Sequence, residues 1–481
     1  MPNTGANASP GRYRWLGLLG SLALAAGALT AGARPAADTG PSLRSSGGAG
    51  TVLVFAGLVV LTAAWLLIGR SVEGQPPPGE RWLYVTLAWW AAPLLLVPPL
   101  FSRDVYSYLA QGAMLAHGLD VYTHGPADLG GPTAVQIPQV WQHTPAPYGP
   151  AFLLVARAAA PLADHPWAGT LALRLAAACA VAVMAALVPA LARTLGADPV
   201  GALRLGVLNP LVLVHLIAGA HNDALAFVLL LGGLLAATRG RALLAAVLVA
   251  LAVLVKAPAV LALPVVCLIA IADRARRAQL LKAVRALATV GATVLAVGAT
   301  VLAVGVTVLA VTAVAGTGYG WIGALTTPAT STSWSLTTSL GRLAADLTGT
   351  APDGAIAATR LLGLAFVAVA ICVLAWRVVR RGSEPVAALA LAFAVLVALG
   401  PAFRPWYALW AVLPAAFAVR APGVRRVVEI TCAVLVFVVM PDGFGPDGAE
   451  LVLAVGGLVI GAVVVLVTER GVPFRERQLA C

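Results

Sequence analysis

This chain has little charge. Of its 481 residues 10% are Asp, Glu, Lys or Arg, against 60% hydrophobic, and the mean hydropathy is +0.93. A water-soluble domain of this size needs far more polar surface. Cysteine is also scarce. Cys179, Cys267, Cys372 and Cys432 fall singly inside apolar runs and Cys481 ends the chain. That spacing offers neither a disulfide framework nor a metal-ligand set, and it suits small apolar core residues. Sustained polar–apolar alternation is missing, which argues against long half-buried strands. Also missing are the Walker A, HExxH and GxSxG motifs, and any Asp-x-Asp pair of the kind that holds a metal-bound nucleotide sugar. Gly318-Tyr319-Gly320-Trp321-Ile322-Gly323 spells GxGxxG, but no strand precedes it. The sequence thus calls for no metal and no cofactor.

What is present is a series of apolar runs of about 18–20 residues, the length of a bilayer-crossing helix. Every backbone group in lipid must be satisfied within its own segment, so the expected fold is an all-α polytopic membrane protein. About fourteen transmembrane helices are predicted, near 14–33, 51–70, 82–100, 168–194, 204–219, 222–238, 242–256, 258–272, 285–315, 356–377, 385–402, 406–420, 427–441 and 449–467. The net charge of +12 does not describe a nucleic-acid surface. Its basic residues cluster beside span ends: Arg274, Arg276, Arg277 and Lys282; Arg377, Arg380 and Arg381; Arg420, Arg425 and Arg426; Arg470, Arg475 and Arg477. That is the positive-inside pattern, and such clusters attract anionic lipid headgroups. With the N-terminus inside, Arg12, Arg14, Arg70, Arg81, Arg193, Arg204, Arg239 and Arg241 fall inside too. The expectation is a multi-pass plasma-membrane protein with both termini cytoplasmic. The first span has a second reading as a signal peptide, because Ala31-Gly32-Ala33 resembles a cleavage site.

This registration divides the chain into an N-terminal region 1–50 with the first helix, a transmembrane catalytic domain 51–470 and a cytoplasmic tail 471–481. It leaves long outer loops at 101–167 and 316–355 and a short one at 442–450. The apolar stretch 151–163 is too short to span, so the first outer loop is predicted to carry short interfacial or re-entrant helices. A heptad repeat, TVLAVGA, TVLAVGV, TVLAV, runs from Thr293 to Val311. It places Gly291, Gly298 and Gly305 on one helical stripe, suited to close helix packing.

Polar residues gather at the outer ends of the spans. Phe101-Ser102-Arg103-Asp104-Val105-Tyr106-Ser107-Tyr108 puts a carboxylate directly beyond a span, where partial desolvation is costly unless it serves a function. The alternative is a solvated helix start with Ser102 or Asp104 as cap. Later in that loop Tyr148 sits in a backbone fixed by Pro145, Pro147 and Pro150, suited to stacking on a sugar ring or to an interfacial belt. His221, Asn222 and Asp223 crowd one bridge after Asn209-Pro210. Lys256 lies beside Pro258 and either neutralises a phosphate or snorkels. Phe403-Arg404-Pro405-Trp406-Tyr407 places an arginine against the positive-inside trend, suited to a phosphate, and Trp334 is a further aromatic candidate.

Nucleotide sugars are normally absent outside the cell, so a transferase there needs a donor carried by the membrane. A polyprenyl-phosphate sugar fits. Its transfer needs one general base for the acceptor hydroxyl and a cation for the departing phosphate, rather than the carboxylate pair of a glycosidase. Asp104 with Arg404, Lys256 and several aromatics matches that requirement.

Asp104-Val105-Tyr106-Ser107-Tyr108 with Ala110-Gln111-Gly112, Thr144-Pro145-Ala146-Pro147-Tyr148-Gly149-Pro150, and Ala218-Gly219-Ala220-His221-Asn222-Asp223 resemble the actinobacterial polyprenyl-phosphomannose-dependent α-1,6-mannosyltransferases, a GT-C glycosyltransferase family. The resemblance covers roughly residues 50–440, and the Ala-, Gly- and Arg-rich composition suits a high-GC actinobacterium. It implies a GT-C-like bundle and Asp104 as general base. It also implies inverting transfer of mannose from polyprenyl-phosphomannose to a lipid-anchored mannan of the lipomannan and lipoarabinomannan type. Donor-phosphate binding is expected of Arg404 and Lys256. Substrate binding is expected of Tyr106, Tyr108, Tyr148, His221, Asn222, Asp223, Trp334, Trp406 and Tyr407. The expected partners are donor, acceptor and membrane lipids, without nucleic acid. The rivals are a transporter or flippase of polyprenyl-linked sugar, and a sugar-polymer ligase using a lipid-diphosphate donor.

Overall fold

A computed structural model describes residues 10–35, 47–72, 78–277 and 282–470. The expected tail 471–481, with Arg475 and Arg477, lies outside the described residues, as do the side chains of Arg274, Arg276, Arg277 and Lys282. Among the described residues all regular structure is helical. Six helices are long and apolar enough to cross a membrane: Pro10–Ala31, Gly48–Ser71, Pro166–Thr194, Val297–Ala315, Pro352–Arg381 and Gly448–Glu469. A seventh crossing is available if Val212–Ala218 and Asp223–Thr238, bent by 113°, form one span. Four apolar helices are shorter: Ala242–Val255, Ala257–Ile269, Pro385–Leu399 and Pro405–Ala418.

The difference from the predicted spans has local causes. The run at 82–100 is helical only over Glu80–Ala91, then passes through a 3₁₀ turn at Ala92–Leu94 into open chain. Pro93, Pro98 and Pro99 cannot donate to a helical ladder. The run at 204–219 is interrupted at Asn209-Pro210 and resumes as a π-helix over Val212–Ala218. Asn209 stabilises the break: its amide donates to Leu205 O at 3.0 Å and its carbonyl accepts the Leu211 N–H at 2.9 Å.

These breaks free backbone carbonyls, and one buried arginine collects them. Arg174 lies inside the Pro166–Thr194 helix and is 3% exposed. It donates to Val97 O, to Leu95 O at 3.0 Å and to Ala218 O at 3.1 Å. A guanidinium presents several donors in a fixed fork, so one side chain serves both broken segments.

The Pro10–Ala31 helix packs along Gly47–Val72, which also carries the Gly448–Arg470 helix. Arg12 pairs with Glu469 at 2.8 Å, so the first and last described helices are tied at one end of the bundle. The repeat lies on a single helix, Lys282–Ala315. Its glycines mediate no close packing among the described residues. A Cβ at Gly291, Gly298 or Gly305 would meet no atom within 4 Å, and Leu295, Val301, Leu302 and Leu309 are exposed. The heptad stripe was legible, but periodicity does not say whether a partner helix faces it.

Candidate active site

The loop at 101–167 folds over one end of the bundle. Phe101 takes a left-handed conformation, φ 65°, and donates its N–H to Pro441 O at 2.9 Å. Such backbone is costly for a bulky residue and persists where packing enforces it. The next residues are pinned as well. Arg103 donates to Asp442 O at 3.0 Å and to Arg34 O at 2.6 Å, and its guanidinium lies over Phe444. The Ser102 hydroxyl accepts the Asp104 N–H at 3.1 Å. Ser102 thus satisfies the first N–H of the helix, whose N-cap is Arg103, and the Asp104 carboxylate faces a cavity.

That cavity measures about 550 Å³. One wall is the first face of the Asp104–Ala116 helix, where Asp104, Ser107 and Gln111 follow at i, i+3 and i+7. Lys256, Arg404, Trp406, Tyr407 and Tyr148 line the rest of the polar side. This helix is pressed onto Pro150–Ala158 at Gly112, where a Cβ would fall 2.1 Å from Ala156 O. Gly149 meets Leu254 O at the same distance, which sets the Tyr148 segment against the Lys256 segment. Tyr148, Tyr108 and Phe152 stack edge-to-face with centroids 4.8–5.3 Å apart.

Behind the cavity wall lies the His221 block. Ala220 is left-handed, φ 55°. His221 stacks on Trp406 at 3.8 Å between centroids, and its Nδ1 is 3.5 Å from Asp104 Oδ2. Tyr108 OH reaches His221 Nδ1 at 3.4 Å and Asn222 Oδ1 at 3.5 Å. Asp223 is fully buried, ion-paired with Lys256, and accepts the Trp410 indole N–H at 2.9 Å. Lys256 also lies over the Tyr407 ring, 5.1 Å from its centroid. Burial raises the Asp104 pKa above the ordinary carboxylate value, while Arg404 and Lys256 oppose that rise. The Arg404 carbonyl accepts the Tyr407 N–H at 2.9 Å, while its guanidinium makes no hydrogen bond or ion pair among the described residues. Ser107 Oγ, Gln111 Oε1 and Trp406 Nε1 line the same region and are buried without partners. Unpaired buried polar atoms are costly, and here they point at space for a polar ligand.

Part of the lining is apolar and partly exposed. Val260, Leu325 and Leu364 belong to it and remain 47%, 46% and 42% exposed. The loop at 316–355 contributes Leu325 and Thr327–Thr330 to this rim. Arg360 holds it by donating to Ala329 O at 2.9 Å and to Thr330 O at 2.5 Å.

Of the residues expected from sequence, Asp104, Tyr148, Lys256, Arg404, Trp406 and Tyr407 line the cavity. Tyr108, His221, Asn222 and Asp223 support its wall. Tyr106 and Trp334 are placed elsewhere. Tyr106 is turned to the far face of its helix and donates to Ala33 O at 2.9 Å. Trp334 is 41% exposed and is not part of the cavity lining. Sequence reasoning missed Ser107, Gln111, Trp141 and Trp410, all of which line it. Ser107 and Gln111 carried a usable signal, their helical spacing from Asp104.

Comparison with known proteins bears on the chemistry. The family profile described as "Alpha-(1->6)-mannopyranosyltransferase, N-terminal domain" matches residues 14–272, and the "MptB C-terminal domain" profile matches residues 329–468. The chain is 35% identical to the Alpha-(1->6)-mannopyranosyltransferase A of Mycobacterium tuberculosis, over 93% of this chain and 86% of that protein. It is 32% identical to the Alpha-(1->6)-mannopyranosyltransferase B of Corynebacterium glutamicum, over 84% of this chain and 73% of that protein.

Proposed function

The chain belongs to the alpha-(1->6)-mannopyranosyltransferase family and is a hexosyltransferase of membrane-helix architecture, and from that premise we propose its donor, its acceptor and its base. The donor is polyprenyl-phosphomannose and the acceptor a lipid-anchored α-1,6-mannan, the backbone of lipomannan and lipoarabinomannan. Transfer takes place on the outer face of the plasma membrane, with both chain termini cytoplasmic. The six long helices, the bent pair and the four shorter apolar helices are read as a GT-C-like membrane bundle, and the short helices of the 101–167 loop lie in the interface. The observation that carries the reading is one cavity whose lining has two unlike parts. Asp104, Arg404 and the unpartnered Ser107 and Gln111 oxygens belong to one. Partly exposed Val260, Leu325 and Leu364 form the apolar part, where a polyprenyl chain can lie in lipid.

The chemistry follows from that arrangement. The acceptor 6-hydroxyl attacks C1 of the lipid-linked mannose from the side opposite the phosphate. Its proton passes to the Asp104 carboxylate as the new C1–O6 bond forms. The C1–O bond to phosphate breaks, polyprenyl phosphate leaves with the electron pair, and the configuration at C1 inverts. Arg404 receives the growing negative charge on the phosphate. Lys256 adds a smaller share, because Asp223 already balances it. Tyr148, Tyr407 and Trp406 offer aromatic faces to the sugars.

The test is mannose transfer from radiolabelled polyprenyl-phosphomannose by membranes carrying Asp104→Asn. Loss of transfer supports the reading, and near-wild-type turnover overturns the assignment of the base. Offering a lipid-diphosphate sugar in parallel separates transfer from the ligase alternative.

A further inference from the structure

A second and larger cavity, about 880 Å³, opens at the other end of the bundle. The two are connected by one helix, Ala408–Ala418: Trp410 lines the candidate active site, while Ala416 and Phe417 line the second cavity. Its lining carries five arginines, Arg70, Arg204, Arg420, Arg425 and Arg426, against two carboxylates, Asp198 and Glu429.

Both carboxylates are already engaged. Asp198 caps the Pro199–Gly206 helix, accepting from Val200 N at 3.0 Å and Gly201 N at 2.8 Å. Glu429 is paired with the buried Arg204 and lies 3.8 Å from Arg425 Nε. The guanidinium groups of Arg70, Arg420 and Arg426 make no hydrogen bond or ion pair among the described residues. Arg425 Nε and Nη2 are buried without a hydrogen-bond partner. A cluster of guanidinium groups in excess of its counter-charges is a receptor for phosphate oxygens, which accept their paired N–H donors.

The remaining wall is apolar: Leu66, Leu205, Phe417, Val419 and Ile430. Ile430 is 53% exposed, and on its helix Val427 and Val434 are 62% and 56% exposed. This stripe leads out of the cavity along the side of the bundle, where an acyl chain can follow it. A soluble phosphate has no use for such a stripe.

We propose that this cavity binds the phosphate-bearing headgroup of an anionic phospholipid, with Arg420, Arg425 and Arg426 on the phosphate and the Val427–Val434 face along the acyl chains. The site is independent of the transfer reaction, and its test does not depend on it. Purified full-length protein is equilibrated with phosphatidylglycerol or phosphatidylcholine in detergent, and bound lipid is counted by native mass spectrometry. Wild type is expected to retain phosphatidylglycerol in preference to phosphatidylcholine. Arg420→Gln/Arg426→Gln is expected to bind phosphatidylglycerol about 30-fold more weakly, and Arg420→Lys/Arg426→Lys to stay within a few-fold of wild type. Equal retention of the two lipids by wild type overturns the proposal, whatever the variants do. So does undiminished binding by the glutamine variant. Displacement of phosphatidylglycerol by an equal concentration of inorganic phosphate also overturns it, and assigns the cavity to a soluble anion.

Discussion

Asp104 and Asp223 sit at the same end of the bundle, and their surroundings give them different work. Asp223 has no exposure, pairs with Lys256 and accepts from Trp410, so its oxygens are occupied. The Asp104 side chain is 16% exposed and faces the cavity, with His221 Nδ1 at 3.5 Å, the Ser102 hydroxyl beside it, and Arg404 and Lys256 close enough to act on its charge. Of the two, Asp104 is the one that faces the cavity, which is why it is the proposed base. Asp104→Asn keeps the shape and removes the proposed base, so kcat should fall about 10²–10⁴-fold with donor KM nearly unchanged in a steady-state assay. In the proposed mechanism the working form is the carboxylate. Because burial raises its pKa, kcat/KM should decline on the acid side at a pH above the ordinary carboxylate range. Arg404 opposes that rise, so Arg404→Ala should move the acid limb of the pH–rate profile to higher pH and raise donor KM. Lys256 is held differently. Lys256→Ala strands a buried carboxylate and should cost about 3–5 kcal/mol in unfolding measurements. Asp223→Asn/Lys256→Met should recover most of that loss.

Elements place these residues, and here the sequence was only partly legible. Asp104 was readable because a carboxylate beyond an apolar run is conspicuous in so uncharged a chain. Arg404 stood out for lying against the basic trend, and six expected site residues do line one cavity. Tyr106 and Trp334 could not be separated from Tyr148 and Trp406, because composition does not say which way a ring points. The 82–100 and 204–219 runs were read as straight helices on hydropathy, which is blind to the breaks at Pro93 and Asn209-Pro210. Arg174 escaped notice for a related reason: its partners are backbone carbonyls, which leave no trace in a sequence. Gly112 is, with Gly149, one of the two tightest backbone approaches at the site. Gly112→Ala should force the Asp104 helix off Pro150–Ala158 and cost about 1–3 kcal/mol, read as a lower thermal midpoint. It should also reduce transfer, because Asp104, Ser107 and Gln111 share that helix while Tyr148 belongs to its neighbour.

At the scale of the whole molecule the two cavities mark opposite ends, and their chemistry differs in the sense the positive-inside rule anticipates. The arginine-rich cavity gathers Arg70, Arg420, Arg425 and Arg426. The other holds a carboxylate, two cations and aromatics beneath the long loops. If basic residues are retained on the cytoplasmic side, the transfer site faces outward and draws on a donor resident in the membrane. Cysteine accessibility decides this without any assay of activity. Trp334 is 41% exposed, and its neighbour Ser335 donates to Pro401 O at 3.0 Å, on the cavity rim. In a cysteine-free background, Trp334→Cys should react with a membrane-impermeant maleimide added to intact cells. Arg426→Cys, at the exposed rim of the arginine cavity, should react only after permeabilisation. The reverse pattern would place Asp104 in the cytoplasm, where soluble nucleotide sugars are available, and would remove the main physical argument for a lipid-linked donor.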